Sequence, residues 1–271
     1  VSRAFDLAAA WPVEHAAVGF IDSRGNARLH GDTSRRYRLA SVSKLMTAWA
    51  TLIAVEEGSI TLDDPVGHDD CTVRHLLAHA GGYGFESPNP IISPARKRVY
   101  SNTGYEVLAR HIAEFVDMDF SQYLHEAVFE PLGMTSAILD GSAAKDMSCS
   151  AHDLSLFAAE LRNPRLVSRQ THTEAITSQF PELDGVVPGV GPFSPCPWGL
   201  GPELHGNKEP HWMPARASAS TFGHFGGSGT FVWVDPVANV ACFALTGRTF
   251  GGWAMEAWPT FGEAVLYEGR Q

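Results

Sequence analysis

Cysteine is scarce and scattered in this 271-residue chain: Cys71, Cys149, Cys196 and Cys242 form no Cys-x-x-Cys pair. That spacing speaks for reduced thiols in or near the core, with disulfides an option only for an exported protein. Long apolar runs are missing too. No stretch approaches the ~20 residues that a membrane-spanning helix needs, so a span is excluded. Basic residues are outnumbered, 20 Lys and Arg against 30 Asp and Glu for a formal charge of -10. This balance excludes nucleic acid and anionic membrane surfaces as partners, because both select positive faces. The opening Val1-Ser2-Arg3-Ala4-Phe5-Asp6 lacks the charged-then-apolar pattern of a secretory leader. The expectation is therefore a cytoplasmic location, or a periplasmic or secreted one if a leader has been removed. Nothing in the composition sets an oligomeric state.

Repeats, low-complexity tracts and flexible linkers are also absent, while 44% hydrophobic content over this length suffices for one large core. Among twelve histidines, His75 and His79 stand at the i, i+4 spacing of a helical zinc pair. The glutamate of a His-Glu-x-x-His site is missing, since Leu76 follows His75. The expectation is no metal and no cofactor.

What is present is clear periodicity. Ala16, Val18 and Phe20 alternate before a Ser23-Arg24-Gly25-Asn26 turn and a returning Ala27 to His30, which predicts a hairpin. Leu45, Ala48, Leu52 and Val55 recur at helical spacing and Gly58 stands where a C-terminal cap belongs, predicting a helix from Ser41 to Glu57. Further helices are expected at 73–79, 104–115, 121–129 and 152–161. Thr230 to Val234 and Val240 to Leu245 flank the Asp235-Pro236-Val237-Ala238-Asn239 turn of a second hairpin. A closing helix over 253–267 is expected to kink or break at Pro259. The layout is an α/β sheet region at 1–58 and 217–271, split by a mainly helical insertion at 59–216 whose Pro- and Gly-rich part, 180–216, reads as irregular. Both regions are expected to fold as one body with the site between them.

Ser41 and Lys44 form a Ser-x-x-Lys pair at the start of the first long helix. At i and i+3 both side chains lie on one face, so the amine reaches the hydroxyl. Serine is a poor nucleophile until a neighbouring base takes its proton, and a buried lysine can be that base once its pKa falls. The pattern alone is weak, since it occurs by chance about once in a chain this long. Ser41 read alone is equally a helix cap. Tyr100-Ser101-Asn102 and His224-Phe225-Gly226-Gly227 follow in order, and the trio points to acyl transfer through a serine.

With their flanks, these motifs resemble the serine β-lactamase and penicillin-binding-protein superfamily, in its class C β-lactamase, DD-carboxypeptidase and esterase branch. Leu39-Ala40 and Lys44-Leu45-Met46-Thr47 resemble the nucleophile helix, and Leu62-Asp63-Asp64-Pro65-Val66 the segment after it. His75 to Gly82, Pro131-Leu132-Gly133-Met134, Trp198-Gly199-Leu200-Gly201 and Gly223 to Gly227 are further landmarks in the family's order. The resemblance implies a β-lactamase/transpeptidase-like fold of the α/β (α+β) class: an antiparallel sheet flanked by N- and C-terminal helices, with an inserted helical region. It implies attack by Ser41 on an ester or amide carbonyl, with Lys44 and Tyr100 removing and relaying the proton. Which of the two is the base stays open, because such a pair titrates as a unit. Tyr100 is alternatively a buried aromatic. Asn102 would bind the substrate amide or hold Lys44, or serve as a helix N-cap. The backbone N–H groups of Ser41 and Gly227 would form the oxyanion hole, with Gly226 and Gly227 giving room, unless these glycines only mark a bend.

Most β-lactamases carry Lys-Thr-Gly where this chain has His224-Phe225-Gly226, which resembles certain D-aminopeptidases, DD-peptidases and carboxylesterases of the superfamily. A neutral histidine lacks the fixed charge that would bind a penicillin carboxylate, and Phe225 adds apolar surface. Arg248 is a candidate carboxylate partner or a surface salt bridge. No deacylating glutamate of the class A type is identifiable. The implied partners are small molecules: an ester, an amide, a short D-peptide or a β-lactam. The expected activity is a carboxylesterase or D-amino-acid peptidase, with a true β-lactamase or DD-carboxypeptidase, or a noncatalytic sensor or scaffold of the same fold, as alternatives.

Overall fold

The computed structural model describes residues 2–271, so the sheet region's expected start at Val1 lies outside the described residues. A six-stranded antiparallel sheet runs β2 (Ala27–Gly31), β1 (Ala16–Ile21), β11 (Val240–Thr246), β10 (Thr230–Asp235), β9 (Phe222–Gly226) and β8 (Glu203–Leu204) from edge to edge. Both faces of its centre are covered. Ala17, Ile21, Val232, Val234, Ala241, Phe243 and Leu245 pack on one side with α2 (Ser43–Glu56) and α7 (Ala151–Arg162). The alternate residues Val18, Phe20, Phe231, Trp233, Val240, Cys242 and Ala244 pack on the other with α1 (Arg3–Ala9) and α9 (Gly252–Gly269). Double burial explains why β10 and β11 read as continuous apolar runs, although they are antiparallel.

The hairpins close as their turn residues dictate. Asp22 Oδ1 accepts the N–H groups of Arg24 (3.0 Å) and Asn26 (2.8 Å), with Gly25 at φ 91°. Asp235 Oδ1 accepts those of Val237 (2.9 Å) and Ala238 (3.0 Å). Helix α2 ends where Gly58 takes φ 77°, the left-handed position that suits glycine. All its residues from Ser43 to Ala54 are buried, so it is a core helix rather than a one-sided one.

The helical part comprises α3 (Val73–Leu77), α4 (Asn102–Val116), then α5 (Phe120–Leu124) running through a π turn at His125–Phe129 into α6 (Glu130–Leu132), and finally α7 and α8 (Arg169–Ala175). β3 (Tyr37–Arg38), β5 (Met147–Cys149) and β4 (Ile138–Leu139) form a small second sheet. Two expectations need correction. The N-terminal helix that the family resemblance implies is α1, whereas the short α8 lacks enough periodic positions to stand out in the sequence. The 180–216 stretch is only partly irregular: it holds the β6 (Gly185–Val187) and β7 (Gly191–Phe193) hairpin, and β8 joins the main sheet through main-chain bonds that composition does not advertise. Helix α9 continues through Pro259 because packing of Trp258, Phe261 and Val265 on the sheet outweighs one lost main-chain bond. All four cysteines are free and buried. Among the described residues no helix is long and apolar enough to cross a membrane.

Candidate active site

Ser41 sits in a 3-10 turn at Ala40–Val42 that leads directly into α2. It caps no helix: the α2 N-cap is Val42, and no side-chain cap bond is made there. Ala40, just before it, takes φ 47°, a left-handed conformation unusual for a residue with a Cβ. This backbone is clamped from β9–β10. Thr230 Oγ1 donates to the Leu39 carbonyl (2.7 Å) and Ser228 Oγ to the Arg38 carbonyl (2.7 Å). Gly226 permits the approach, since a Cβ there would lie 2.2 Å from the Leu39 oxygen. At Gly227 a Cβ would meet nothing within 4 Å, and this residue faces the cavity beside Ser41.

Lys44 is fully buried one turn along. Its Nζ lies 3.3 Å from Ser41 Oγ, 2.6 Å from Asn102 Oδ1 and 3.0 Å from the Ala144 carbonyl. Burial pulls its pKa down to about 7; the nearby carboxylate of Glu106 opposes this in part and Lys145 adds to it. The three contacts serve both protonation states. An ammonium donates to all three oxygens, whereas a neutral amine keeps its two N–H bonds to Asn102 and Ala144 and turns its lone pair to the Ser41 hydroxyl. Asn102 is held for this task because its Nδ2 donates to Glu86 Oε1 (3.2 Å). The N-cap of α4 is Ser101, whose Oγ accepts the Gly104 N–H (2.9 Å), so Asn102 is not the cap.

Tyr100 Oη lies 3.3 Å from His224 Nε2, and His224 Nδ1 lies 2.7 Å from the Phe225 carbonyl. A carbonyl only accepts, so Nδ1 carries the proton and Nε2 must receive the Tyr100 hydroxyl hydrogen. Burial, reinforced by the Lys44 charge, lowers the His224 pKa to about 3, and the imidazole is neutral. Burial also raises the Tyr100 phenol well above its ordinary value, although a hydrogen bond with Ser41 opposes the rise. Tyr100 thus stands as a protonated phenol with Lys44 Nζ 4.7 Å from its ring centroid.

The His79 ring packs at 4.4 Å from that of Tyr100, and its Nδ1 accepts the Ser101 N–H (3.1 Å). His79 has left α3 with φ 54°, while His75 Nδ1 belongs to the Thr72 capping box. The two histidines therefore share no helix face, and among the described residues no cluster of three His, Cys, Asp or Glu side chains could hold a metal.

Ser41, Tyr100, His224, Phe225 and Gly227 open together on a cavity of about 270 Å³, walled also by Phe85, Val187, Pro188, Trp198 and Phe250. No lining residue is charged at neutral pH. Phe225 is 8% exposed and its ring packs on that of Phe250 at 4.4 Å. Arg248 is absent from the lining. Its guanidinium bonds the Pro12 carbonyl and stacks 5.5 Å from the Trp253 ring, so it is neither a surface salt bridge nor a carboxylate anchor in the cavity. Sequence reasoning missed the Ala144 carbonyl, Glu86, Phe85 and Phe250. His79 was marked as part of a landmark but without a role.

An antiparallel sheet whose β9–β10 hairpin clamps the start of a Ser-x-x-Lys helix, facing a Tyr-x-Asn at the head of a second helix, is the architecture of the serine β-lactamase and penicillin-binding-protein class. The Beta-lactamase family model matches residues 6–265, and the chain belongs to that family. A β-lactamase from Mycobacterium bovis is 46% identical, with a TM-score of 0.97 over 99% of this chain and 100% of that one. Simvastatin synthase from Aspergillus terreus shares the fold at 16% identity, with a TM-score of 0.80 over 99% of this chain and 94% of that one. Penicillin-binding protein 4* of Bacillus subtilis is 27% identical over 135 residues, which cover 38% of this chain and 30% of that protein.

Proposed function

We propose that this protein is a serine hydrolase that works through an acyl-enzyme on an ester or amide, as a carboxylesterase or D-amino-acid peptidase. The observation that carries this reading is a fully buried lysine amine, with a pKa near 7, held 3.3 Å from Ser41 Oγ. Neutral Lys44 takes the Ser41 proton as Oγ bonds to the substrate carbonyl carbon. The oxyanion is received by the N–H groups of Ser41 and Gly227. The proton leaves Lys44 for the departing alkoxide or amine, with the Tyr100 hydroxyl as relay. Collapse breaks the bond to the leaving group and leaves an acyl ester on Ser41. Water, activated by the same amine, then releases the acid. Neutral His224 and the uncharged lining supply no partner for a carboxylate, which favours esters and apolar amides over penicillins. The 46% identity to a protein described as a β-lactamase supports β-lactam hydrolysis as the second reading.

Intact mass after exposure to p-nitrophenyl butyrate and, separately, benzylpenicillin, with product release followed in parallel, separates the two. Ester turnover with little penicillin turnover is expected, and Ser41→Ala should lower ester turnover by on the order of a thousandfold or more. Rapid penicillin turnover would make the protein a β-lactamase, and a stable penicillin adduct a penicillin-binding protein. No adduct from either compound or from a serine-reactive phosphonate would leave a noncatalytic module.

The pH profile follows from the same geometry. The reactive form has neutral Lys44, so kcat/KM is expected to rise with pH through about 7 and then level. Neither His224, neutral above about 3, nor Tyr100, whose phenol is raised, adds a descending limb in the weakly alkaline range. Ester kinetics across this range check it; a flat profile would remove Lys44 as the base.

A further inference from the structure

Beyond Phe85 the cavity does not end. A second, open groove of about 640 Å³ continues from it, sharing Phe85, Tyr100 and Pro188 as a common boundary. Ile91, Ile92, Val99 and Val186 provide its other apolar surface. Of the eight large apolar side chains exposed among the described residues, four border this groove: Phe85 at 51%, Ile91 at 64%, Ile92 at 38% and Val186 at 50%. Apolar exposure concentrated at one place, next to a reactive serine, marks a surface that is covered during function.

The walls are preorganised. One is the loop before α4, where Ile91 N–H bonds the Gly82 carbonyl (2.9 Å); the other is the β6–β7 hairpin that carries Val186. They are stitched together where Arg98 N–H donates to the Asp184 carbonyl (2.8 Å) and Arg98 bridges to Gly185. The Arg98 guanidinium is committed to the carbonyls of Cys196, Ala78, Gln179 and Phe180, so it presents no free charge to a ligand. The exposed Lys97 is the other charged residue along the groove.

We propose that this groove is the acyl-chain subsite, and that the substrates are esters of aliphatic acids with medium to long chains, which run from the carbonyl at Ser41 past Phe85 and between Ile91 and Val186. The assignment rests on the serine-hydrolase reading above and adds the substrate class. A methylene fully removed from water gains about fourfold in binding, and one lying in a groove open on one side about twofold.

The test is kcat/KM for p-nitrophenyl acetate, butyrate, hexanoate and octanoate, with the wild type and with the double variant Ile91→Ser, Val186→Ser. Both replaced side chains are exposed, so the variant should fold, and a thermal melt checks that. The expected wild-type result is a rise of at least about tenfold from acetate to octanoate. In the double variant the octanoate-to-acetate ratio should fall at least about fivefold. A flat or falling series, or a ratio that the double variant leaves unchanged, overturns the acyl subsite while Ser41-dependent acetate turnover keeps the hydrolase reading. A rise only when the chain is placed on the alcohol side also overturns it. If no ester is turned over and Ser41 is never acylated, both readings fall together.

Discussion

Lys44→Met is expected to lower kcat/KM for an ester substrate by on the order of a thousandfold while the protein stays folded. The methionine side chain is similar in length and apolar, so the buried slot stays filled, but Ser41 loses the basic nitrogen 3.3 Å from its hydroxyl. Two acceptors, Asn102 Oδ1 and the Ala144 carbonyl, lose a donor, at about 1–3 kcal/mol each if unrelieved. Against this stands release from burying an amine. The wild type also carries a pH signature. The Lys44 pKa is near 7 when folded and near its ordinary value when unfolded. Between those values the unfolded chain binds a proton that the folded chain does not, so the Lys44 contribution makes stability rise with pH across this window and fall again as pH drops toward 7. Urea melts at pH 7 and pH 9 should show the variant lacking this component. Near-wild-type turnover in Lys44→Met would show that another group activates Ser41.

Glu203→Ala is expected to destabilise the fold by roughly 3–5 kcal/mol, because it strands the buried Lys208 amine and takes the acceptor from the buried His211 and Trp212 N–H groups. Glu203 Oε1 accepts Lys208 Nζ and His211 Nε2, both at 2.8 Å, and Oε2 accepts the Trp212 indole N–H at 2.8 Å. Glu203 and Lys208 are both almost fully buried, and Lys208 also donates to the Leu204 and Pro197 carbonyls. Burial alone would raise the Glu203 carboxyl, but Lys208 and His211 outweigh it and hold the group well below the usual carboxylate range. Since the folded pKa lies below the unfolded one, the cluster stabilises fully above the ordinary carboxyl pKa and fades as pH falls below it. For a chain of this size the loss corresponds to a fall in Tm of about 10 °C. A Tm within about 2 °C of wild type would show that the cluster contributes specificity of packing rather than stability. The cluster also bears on the site: Glu203 belongs to β8, next to β9, and Trp198, a cavity wall, forms a bridge with it.

Local spacing made part of this molecule legible. Ser41 and Lys44 are three residues apart, so any helix through them sets their side chains on one face. The alternation in β1, β10 and β11 and the turn residues Gly25, Asp235 and Asn239 write the hairpins without help from distant parts of the chain. Gly58 ends α2 for the same local reason. The β8 strand was hidden because two residues paired to an edge leave no periodic trace. Asn102 looked like a cap because Ser101, one place earlier, has the same capacity, and only the packed structure shows which side chain turns to the helix and which to Lys44.

By itself, then, the sequence determined the Ser-x-x-Lys pairing of Ser41 and Lys44, the order of the motifs and the hairpins at either end of the sheet, all of which rest on contacts within a few residues or on a period along one element. Tertiary structure alone decided the chemistry of those residues. The low pKa of Lys44 needs burial of α2 on all sides, and the placing of its amine needs oxygens from Asn102 and Ala144, 58 and 100 residues away along the chain. The neutral His224 needs burial beside Tyr100 and Trp198 and the Lys44 amine nearby, and the uncharged cavity and its apolar groove need walls from the loop before α4, the β6–β7 hairpin and the segment after β11. Desolvation and cavity shape arise only where remote segments meet, and no spacing along the chain encodes them.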